Sequence, residues 1–331
     1  MKTIELVVPC HNEESCVSLF YDTVRKVFES LPDFRFIITY VDDGSKDNTL
    51  AEIKKVIERV DKGKVQYISL SRNFGKESAM YAGLSHSTGD YVAVMDADLQ
   101  HPPELLVKMI DAIEKEGYDC ASARRVSRNG EPLIRSSLSR AFYHVINRVT
   151  VIDLVPGSTD YRLMKRKVVE AIVSLTERER FTKGIYAWVG FKNKWIEYEN
   201  VERAAGTSKW SLFGLFRYAY SGFLAFATTP LRGVIYLGLV IVLLSIVFAV
   251  YTFVSAIHST GERNGYATIL IVMLFLGGVI ITILGMIGEY MARIYMEVKN
   301  RPIYFERESN IAEGSDREKL AQNQDKHGDK E

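Results

Sequence analysis

Between Gly233 and Gly288 the chain runs for 56 residues with only two acids or bases, Glu262 and Arg263. A soluble core absorbs such a stretch poorly, because long core helices keep a polar stripe. Residues 233–257 form an uncharged run of 25. As a helix that run is about 37 Å long, enough to cross a hydrocarbon core of about 30 Å. Residues 266–288 form a second uncharged run of 23, and the short linker between them implies a transmembrane hairpin. Arg217 and Arg232 precede the first run, and Arg293, Lys299 and Arg301 follow the second. The linker offers only Arg263, beside Glu262. The positive-inside rule then puts the hairpin tip outside and both termini in the cytoplasm. The segment Ile4 to Val8 is too short for a signal peptide and is interrupted by Glu5.

The remaining 275 residues hold the other charges, and the totals of 42 basic and 41 acidic residues nearly cancel. A net charge of +1 gives no bulk attraction for nucleic acid, so a nucleic-acid partner is not expected. A hydrophobic content of 47% excludes a mostly disordered chain. The three cysteines, Cys10, Cys16 and Cys120, suit a reducing compartment and have no metal-ligand spacing. Residues 210–230 are aromatic and apolar, with Ser211, Gly214, Arg217 and Ser221 making a narrow polar stripe. That pattern predicts a helix lying among lipid headgroups, ended by Pro230. The expected organisation is a cytoplasmic domain over 1–209, an interfacial helix over 210–230 and a hairpin over 231–295. Residues 306–331, with 13 charges in 26 positions, read as a solvated, disordered tail.

Residues 1–125 alternate strand and helix signals. Strands are predicted at 4–10, 34–41, 65–70, 91–95 and 119–123, with helices at 15–30, 48–60, 76–85 and 103–115. This is an α/β pattern with a mainly parallel, Rossmann-like sheet, and such sheets bind ligands at the carboxyl ends of their strands. The polar clusters sit at those ends: His11-Asn12-Glu13-Glu14, Asp42-Asp43, and Asp96-Ala97-Asp98. No G-x-G-x-x-G follows the first strand, and no phosphate-binding loop is present. Carboxylates repel a diphosphate directly but accept it through a divalent cation, which takes oxygen ligands from both sides. Asp96 and Asp98, as alternate residues at a strand end, are expected to face one cation. The competing reading makes them turn or cap residues before the helix near Pro103.

Four motifs carry a resemblance: Pro9…Asn12-Glu13, Val41-Asp42-Asp43-Gly44-Ser45, Ser71-Arg72-Asn73-Phe74-Gly75-Lys76-Glu77, and Met95-Asp96-Ala97-Asp98-Leu99-Gln100-His101-Pro102. Together they resemble family 2 glycosyltransferases of the GT-A fold. Gly157-Ser158-Thr159-Asp160-Tyr161-Arg162, the stretch from Glu202 to Trp210 and the hairpin narrow the resemblance. It points to polyprenyl-phosphate glycosyltransferases of the bactoprenol glucosyltransferase type, with dolichyl-phosphate mannosyltransferase a cousin. The resemblance implies transfer of a hexose from a nucleotide sugar to undecaprenyl phosphate at the bacterial inner membrane. UDP-glucose is the first choice of donor, with UDP-N-acetylglucosamine and GDP-mannose as alternatives.

The resemblance also implies roles. Asp96, Asp98 and Gln100 would hold Mg²⁺ or Mn²⁺ against the donor diphosphate. Pro9, Asn12, Glu13 and Asp42 would cradle the nucleoside, although Asn12, Glu13 and Glu14 also suit a helix cap. Arg124, Arg135 and Ser139 match positions that bind the lipid phosphate in related mannosyltransferases. A basic face resting on anionic headgroups suits Arg140 and Arg148 better. Arg203 is placed to reach the donor pyrophosphate and Lys209 the lipid phosphate, with positive-inside anchoring a contender for Lys209. Asp160 matches the family's candidate catalytic aspartate, as a base, as an orienter of sugar hydroxyls, or as a counter-charge to the anomeric carbon. The implied chemistry is one inverting displacement. Rival readings are a processive polysaccharide synthase, which usually carries more spans and a Q-x-x-R-W segment absent here, and a non-catalytic nucleotide-sugar-binding scaffold. A homo-oligomer is compatible with the hairpin, but no GxxxG signal specifies one.

Overall fold

A computed structural model describes residues 1–61, 63–126, 148, 154–199 and 265–311, with isolated positions between 236 and 254. The first strands and helices follow the alternation in the sequence. They are β1 (Lys2–Cys10), α1 (Val17–Glu29), β2 (Phe34–Asp42), α2 (Thr49–Glu58), β3 (Val65–Leu70), α3 (Lys76–His86), β4 (Tyr91–Val94), α4 (Leu105–Glu114) and β5 (Cys120–Arg125). Then come β6 (Ser158–Lys165), α5 (Arg166–Ser174), α6 (Thr182–Trp188), β7 (Asn193–Tyr198), α7 (Tyr266–Val298) and β8 (Glu306–Ser309).

All eight strands join one sheet, ordered β7-β5-β6-β4-β1-β2-β3-β8. The strands β4, β1, β2 and β3 run parallel. The near-continuous apolar run Ile4, Leu6, Val7 and Val8 is buried because helices cover both faces. On one face α1, α2 and α4 contribute Phe20, Ile53 and Met109 to the core. On the other, α3 and α5 contribute Met80 and Ile172. Gly83 lets α3 lie close on the sheet, since a Cβ there would fall 2.3 Å from Val7 Cγ1.

Three features depart from the sequence expectation. The strand β6 enters between β4 and β5 and is antiparallel to both. The helix of the second apolar run does not end at 288 but continues for ten residues, to Val298. No glycine or proline interrupts it until Asn300 turns left-handed at φ 43° ahead of Pro302. The charged segment expected to be solvated from Glu306 instead begins as β8, antiparallel to the edge strand β3. Its charges fit an edge position, where they block further strand addition.

Phe275–Val298 is long and apolar enough to cross a membrane, with mean hydropathy 1.7 in its best window. It is the only such helix among the described residues. Its Phe275, Ile281, Leu284 and Ile287 are exposed, as lipid-facing side chains would be. In the first apolar run the isolated described positions are helical, and Leu243 to Phe248 are exposed. The expected interfacial helix at 210–230 and the residues from 312 onward lie outside the described residues.

Candidate active site

The carboxyl ends of β1, β2 and β3 carry three loops that hydrogen-bond into one rim. The Asn12 amide N–H donates to Ser45 Oγ at 2.9 Å, and Asn12 Oδ1 accepts from Lys46 N at 2.8 Å. The left-handed backbone of Asn12, at φ 55°, aims both groups at the second loop. Glu13 N donates to Thr49 Oγ1 at 2.8 Å, and Glu14 Oε2 accepts from Asn48 N at 3.0 Å. Asn73 Nδ2 and His11 Nε2 lie 2.9 Å apart, joining the first and third loops.

Asp43 secures the third loop to the second. Its carboxylate accepts from Phe74 N at 2.7 Å and Gly75 N at 2.9 Å. Burial pushes its carboxyl up, and these two amides oppose the shift. The two loops touch at Gly44, which has φ +60°. A Cβ there would fall 2.3 Å from the Arg72 carbonyl carbon. Asp42 is fully buried. Its Oδ1 accepts from Ser45 N at 3.0 Å and its Oδ2 from Ser69 Oγ at 2.9 Å. Pro9, next to last in β1, lies beside Val41 of β2. Pro9, Asn12, Glu13 and Asp42 therefore all lie on or directly beneath this rim.

The second half of the site lies beyond β4. That strand stops at Val94, and Leu99 turns left-handed at φ 55°. Asp96 and Asp98 thus flank the buried Ala97 in a turn rather than alternating along a strand. Their partners differ. Asp98 Oδ1 accepts from Gln100 N at 3.2 Å, while Asp96 lies 2.7 Å from Lys76 Nζ. His101 supports the turn from below: its Nδ1 lies 2.7 Å from Tyr198 Oη, and its ring stacks on Tyr161 with centroids 5.9 Å apart. Burial lowers the imidazole pKa against the pull of Asp96, so His101 is neutral at neutral pH.

The antiparallel register of β6 with β4 pairs Val94 with Arg162. Followed past the end of β4, that register carries Asp160 toward Asp96. Lys76, the first residue of α3, joins the two: its Nζ donates to Asp96 Oδ2 at 2.9 Å and to Asp160 Oδ2 at 2.8 Å. Burial works to raise the Asp160 carboxyl, but Lys76 and then Lys183 prevail and hold it well below the usual carboxylate range. Burial likewise opposes the charge on Lys76, and Asp160 and Asp96 together raise it above the ordinary lysine value. Beneath them the buried Arg162 guanidinium lies 3.3 Å from the Tyr186 ring centroid.

The motif reading included Lys76 without giving it a role. Its place suggests one: Lys76 follows Gly75, at φ 98°, on the loop after β3, so it sits at the same strand-end level as the carboxylates. Arg124 is directed elsewhere, with Nε donating to Pro156 O at 3.2 Å and Nη1 3.5 Å from Glu197. Arg135, Ser139, Arg203 and Lys209 lie outside the described residues. Among the described residues no three His, Cys, Asp or Glu side chains converge as a metal cage. Asp96, Asp98 and the Gln100 amide offer oxygen donors on one turn, the donor type a hard divalent cation takes. The Lys76 ammonium already pairs with Asp96, so a bound cation would share that carboxylate with it.

Comparison with known proteins identifies the family. Residues 5–173 match Glycosyl transferase family 2, and residues 229–294 match the GtrB C-terminal hairpin. The chain is 45% identical to the putative glycosyltransferase CsbB of Bacillus subtilis, over 93% of this chain and 92% of that one. It is 39% identical to the bactoprenol glucosyl transferase of Shigella phage SfX, over 91% of this chain and 97% of that one. A solved structure of the mannosyltransferase PcManGT from Pyrobaculum calidifontis, in complex with GDP-Man and Mn²⁺, is similar at 16% identity. That similarity has a TM-score of 0.44 and covers 62% of this chain and 58% of that one. The chain thus belongs to glycosyltransferase family 2, an enzyme with a GT-A α/β domain followed by a GtrB-type C-terminal hairpin.

Proposed function

We propose that the chain transfers a hexose from a UDP-sugar, UDP-glucose by preference, to undecaprenyl phosphate at the bacterial inner membrane. The observation that carries this reading is the meeting of Asp96, Asp160 and Lys76 at the strand ends of a chain that also holds a membrane-length helix. Relatives at 38–39% identity are bactoprenol glucosyl transferases, and they suggest the sugar and lipid classes. The catalytic domain and both termini lie on the cytoplasmic side in this reading, where nucleotide sugars are made.

The rim formed by Pro9, Asn12, Glu13 and Asp42 takes the nucleoside, and Arg203 the pyrophosphate. Asp96, Asp98 and Gln100 would hold Mg²⁺ or Mn²⁺, which supplies Lewis-acid stabilisation of the departing diphosphate. Arg135, Ser139 and Lys209 serve the acceptor phosphate, aligned for in-line attack on the anomeric carbon. The acceptor is anionic before it binds, so no side chain has to take a proton from it. A carboxyl as acidic as Asp160 makes a poor general base. Asp160 therefore acts by charge and orientation, either on the sugar hydroxyls or on the developing positive charge. Lys76 keeps that carboxylate ionised and fixed. The displacement inverts, and an α-linked donor yields a β-linked lipid-phosphate sugar.

A donor panel tests this directly. Purified protein is incubated with undecaprenyl phosphate and labelled UDP-glucose, UDP-N-acetylglucosamine or GDP-mannose. The expected result is a labelled β-linked lipid, formed fastest with UDP-glucose. A labelled polymer, or binding without transfer from any donor, overturns the proposal.

A further inference from the structure

The chain leaves α7 at Val298 and returns to the catalytic domain. Tyr304 packs edge-on to Tyr81, Phe305 faces Phe74, and β8 pairs with β3. The pairing slips between Ser69 and Leu70, which face Glu308 and Glu306. Arg307 is the extra residue in this bulge, and bulges redirect the side chain they carry. Its Nη2 donates to Ser69 Oγ at 2.9 Å and lies 3.8 Å from Asp42 Oδ2. Ser69 Oγ in turn donates to Asp42 Oδ2 at 2.9 Å. Asp42 is thus a fully buried carboxylate with its nearest cation supplied from beyond the membrane helix, by a side chain that is itself 49% exposed.

A buried carboxylate is costly without a paired charge. Ser45 N and Ser69 Oγ supply hydrogen bonds but no charge. Among the ion pairs of the described residues, Arg307 is the partner of Asp42. Of the other charged residues of the strand, Glu306 lies 2.8 Å from His86 Nε2, and Glu308 turns away to Lys54 Nζ at 2.9 Å and Tyr67 Oη at 3.2 Å. The attachments of the strand are therefore separable: Glu308–Lys54 and Glu306–His86 only fasten it, whereas Arg307 reaches the nucleoside rim.

We propose that Arg307 is a positioning residue for the donor nucleotide, acting through Ser69 and Asp42, so that the segment returning from the membrane completes the nucleoside end of the site. The proposal rests on the reading of Asp42 as part of the nucleoside cradle. With Arg307 in place, the Asp42 carboxylate stays oriented, and through Ser45 N it sets the path of the 42–45 loop. Without Arg307 the carboxylate keeps only neutral donors, and the loop loses its fixed geometry. The chemical step is untouched, because Asp96, Asp160 and Lys76 lie on other loops.

UDP affinity by titration calorimetry in Mg²⁺, donor KM, kcat and Tm are measured for Arg307→Ala, Arg307→Lys, Lys54→Met, Asp42→Asn and the Arg307→Ala/Asp42→Asn double variant. Arg307→Ala is expected to weaken UDP binding and raise donor KM about tenfold, the loss typical of a hydrogen bond to a charged group. Its kcat should stay within about twofold, and Arg307→Lys should recover most of the affinity, as a retained charge would. Lys54→Met should lower Tm and leave donor KM unchanged. The double variant should bind about as weakly as Asp42→Asn alone, the non-additivity expected of residues acting in series. Wild-type UDP affinity in Arg307→Ala, with Asp42→Asn weakened, overturns the role of Arg307 alone. Wild-type affinity in Asp42→Asn overturns the cradle reading and this proposal with it. Equal KM effects of Arg307→Ala and Lys54→Met reduce Arg307 to a strand fastener and overturn it as well.

Discussion

Lys76 lies between two carboxylates that are distant in sequence, and its removal should be felt in catalysis before stability. Without it Asp96 and Asp160 face each other uncompensated, and the pocket loses the cation that fixes them. Lys76→Met is expected to lower kcat about 10²- to 10³-fold, the range for deleting one preorganised charge beside the reacting centre. A kcat within about threefold of wild type would remove Lys76 from the site. Asp160 makes a separate, pH-based prediction. Its carboxyl is held below the ordinary range, so it is ionised at every pH where the enzyme works. The acid limb of the rate profile should instead follow the second ionisation of the acceptor phosphate, near pH 6. Asp160→Asn should therefore lower kcat without moving that limb. A limb that shifts or disappears in this variant would reveal proton transfer at Asp160. Asp96 was legible from sequence because acids at strand ends stand out, and Asp160 only as part of a family motif. Lys76 was not, because a lysine at a helix start has no local signature that separates it from a solvated one.

At the scale of elements, the five strands and four helices of the first 125 residues follow from apolar periodicity, since each parallel strand is an apolar run between turns. The strand β6 was read only as a motif. Nothing local marks a strand that will insert antiparallel between two others, yet that insertion places Asp160 near Asp96. The strand β8 was missed for the opposite reason: Glu306-Arg307-Glu308-Ser309 is charged because it closes an edge, and charge reads as tail. The rim depends on close loop contact, and Gly44 tests it. With φ +60° and a Cβ position 2.6 Å from Asn73 N, alanine there would strain the backbone and push the 42–45 and 72–75 loops apart. The Asp43 bonds to Phe74 N and Gly75 N would be lost with the contact. Gly44→Ala should destabilise the domain by about 2 kcal/mol or more, a fall of about 4–8 °C in Tm, and should weaken UDP binding. An unchanged Tm would show that the loops can part at no cost.

At the scale of the molecule, α7 is longer than its membrane task requires. Its 33 residues make about 50 Å of helix at 1.5 Å per residue, against about 30 Å of hydrocarbon. The surplus at the C-terminal end is fastened to the catalytic domain. Arg293 pairs with Glu179 and, at 3.3 Å, with Glu289. Arg178 N donates to Glu297 at 2.9 Å, and its Nη1 lies 3.5 Å from Arg301 O. The contacts of Arg293 with Glu179 and of Arg178 with Glu297 join the membrane helix to the loop between α5 and α6, and α6 carries Lys183 close to Asp160. A lipid phosphate must meet a donor bound at a fixed height above the membrane, so a firm joint here should matter for the lipid substrate and not for the nucleotide. Arg293 is only 17% exposed, so reversing its charge beside Glu179 and Glu289 should break the joint. Arg293→Glu is therefore expected to reduce lipid transfer about tenfold or more, the scale of breaking a partly buried ion pair. UDP affinity should remain at the wild-type value. Adding Glu179→Arg restores an attractive pair and should recover part of the transfer rate. If Arg293→Glu weakens UDP binding as much as transfer, or if the paired reversal recovers nothing, the joint supports the whole domain and does not set its height at the membrane.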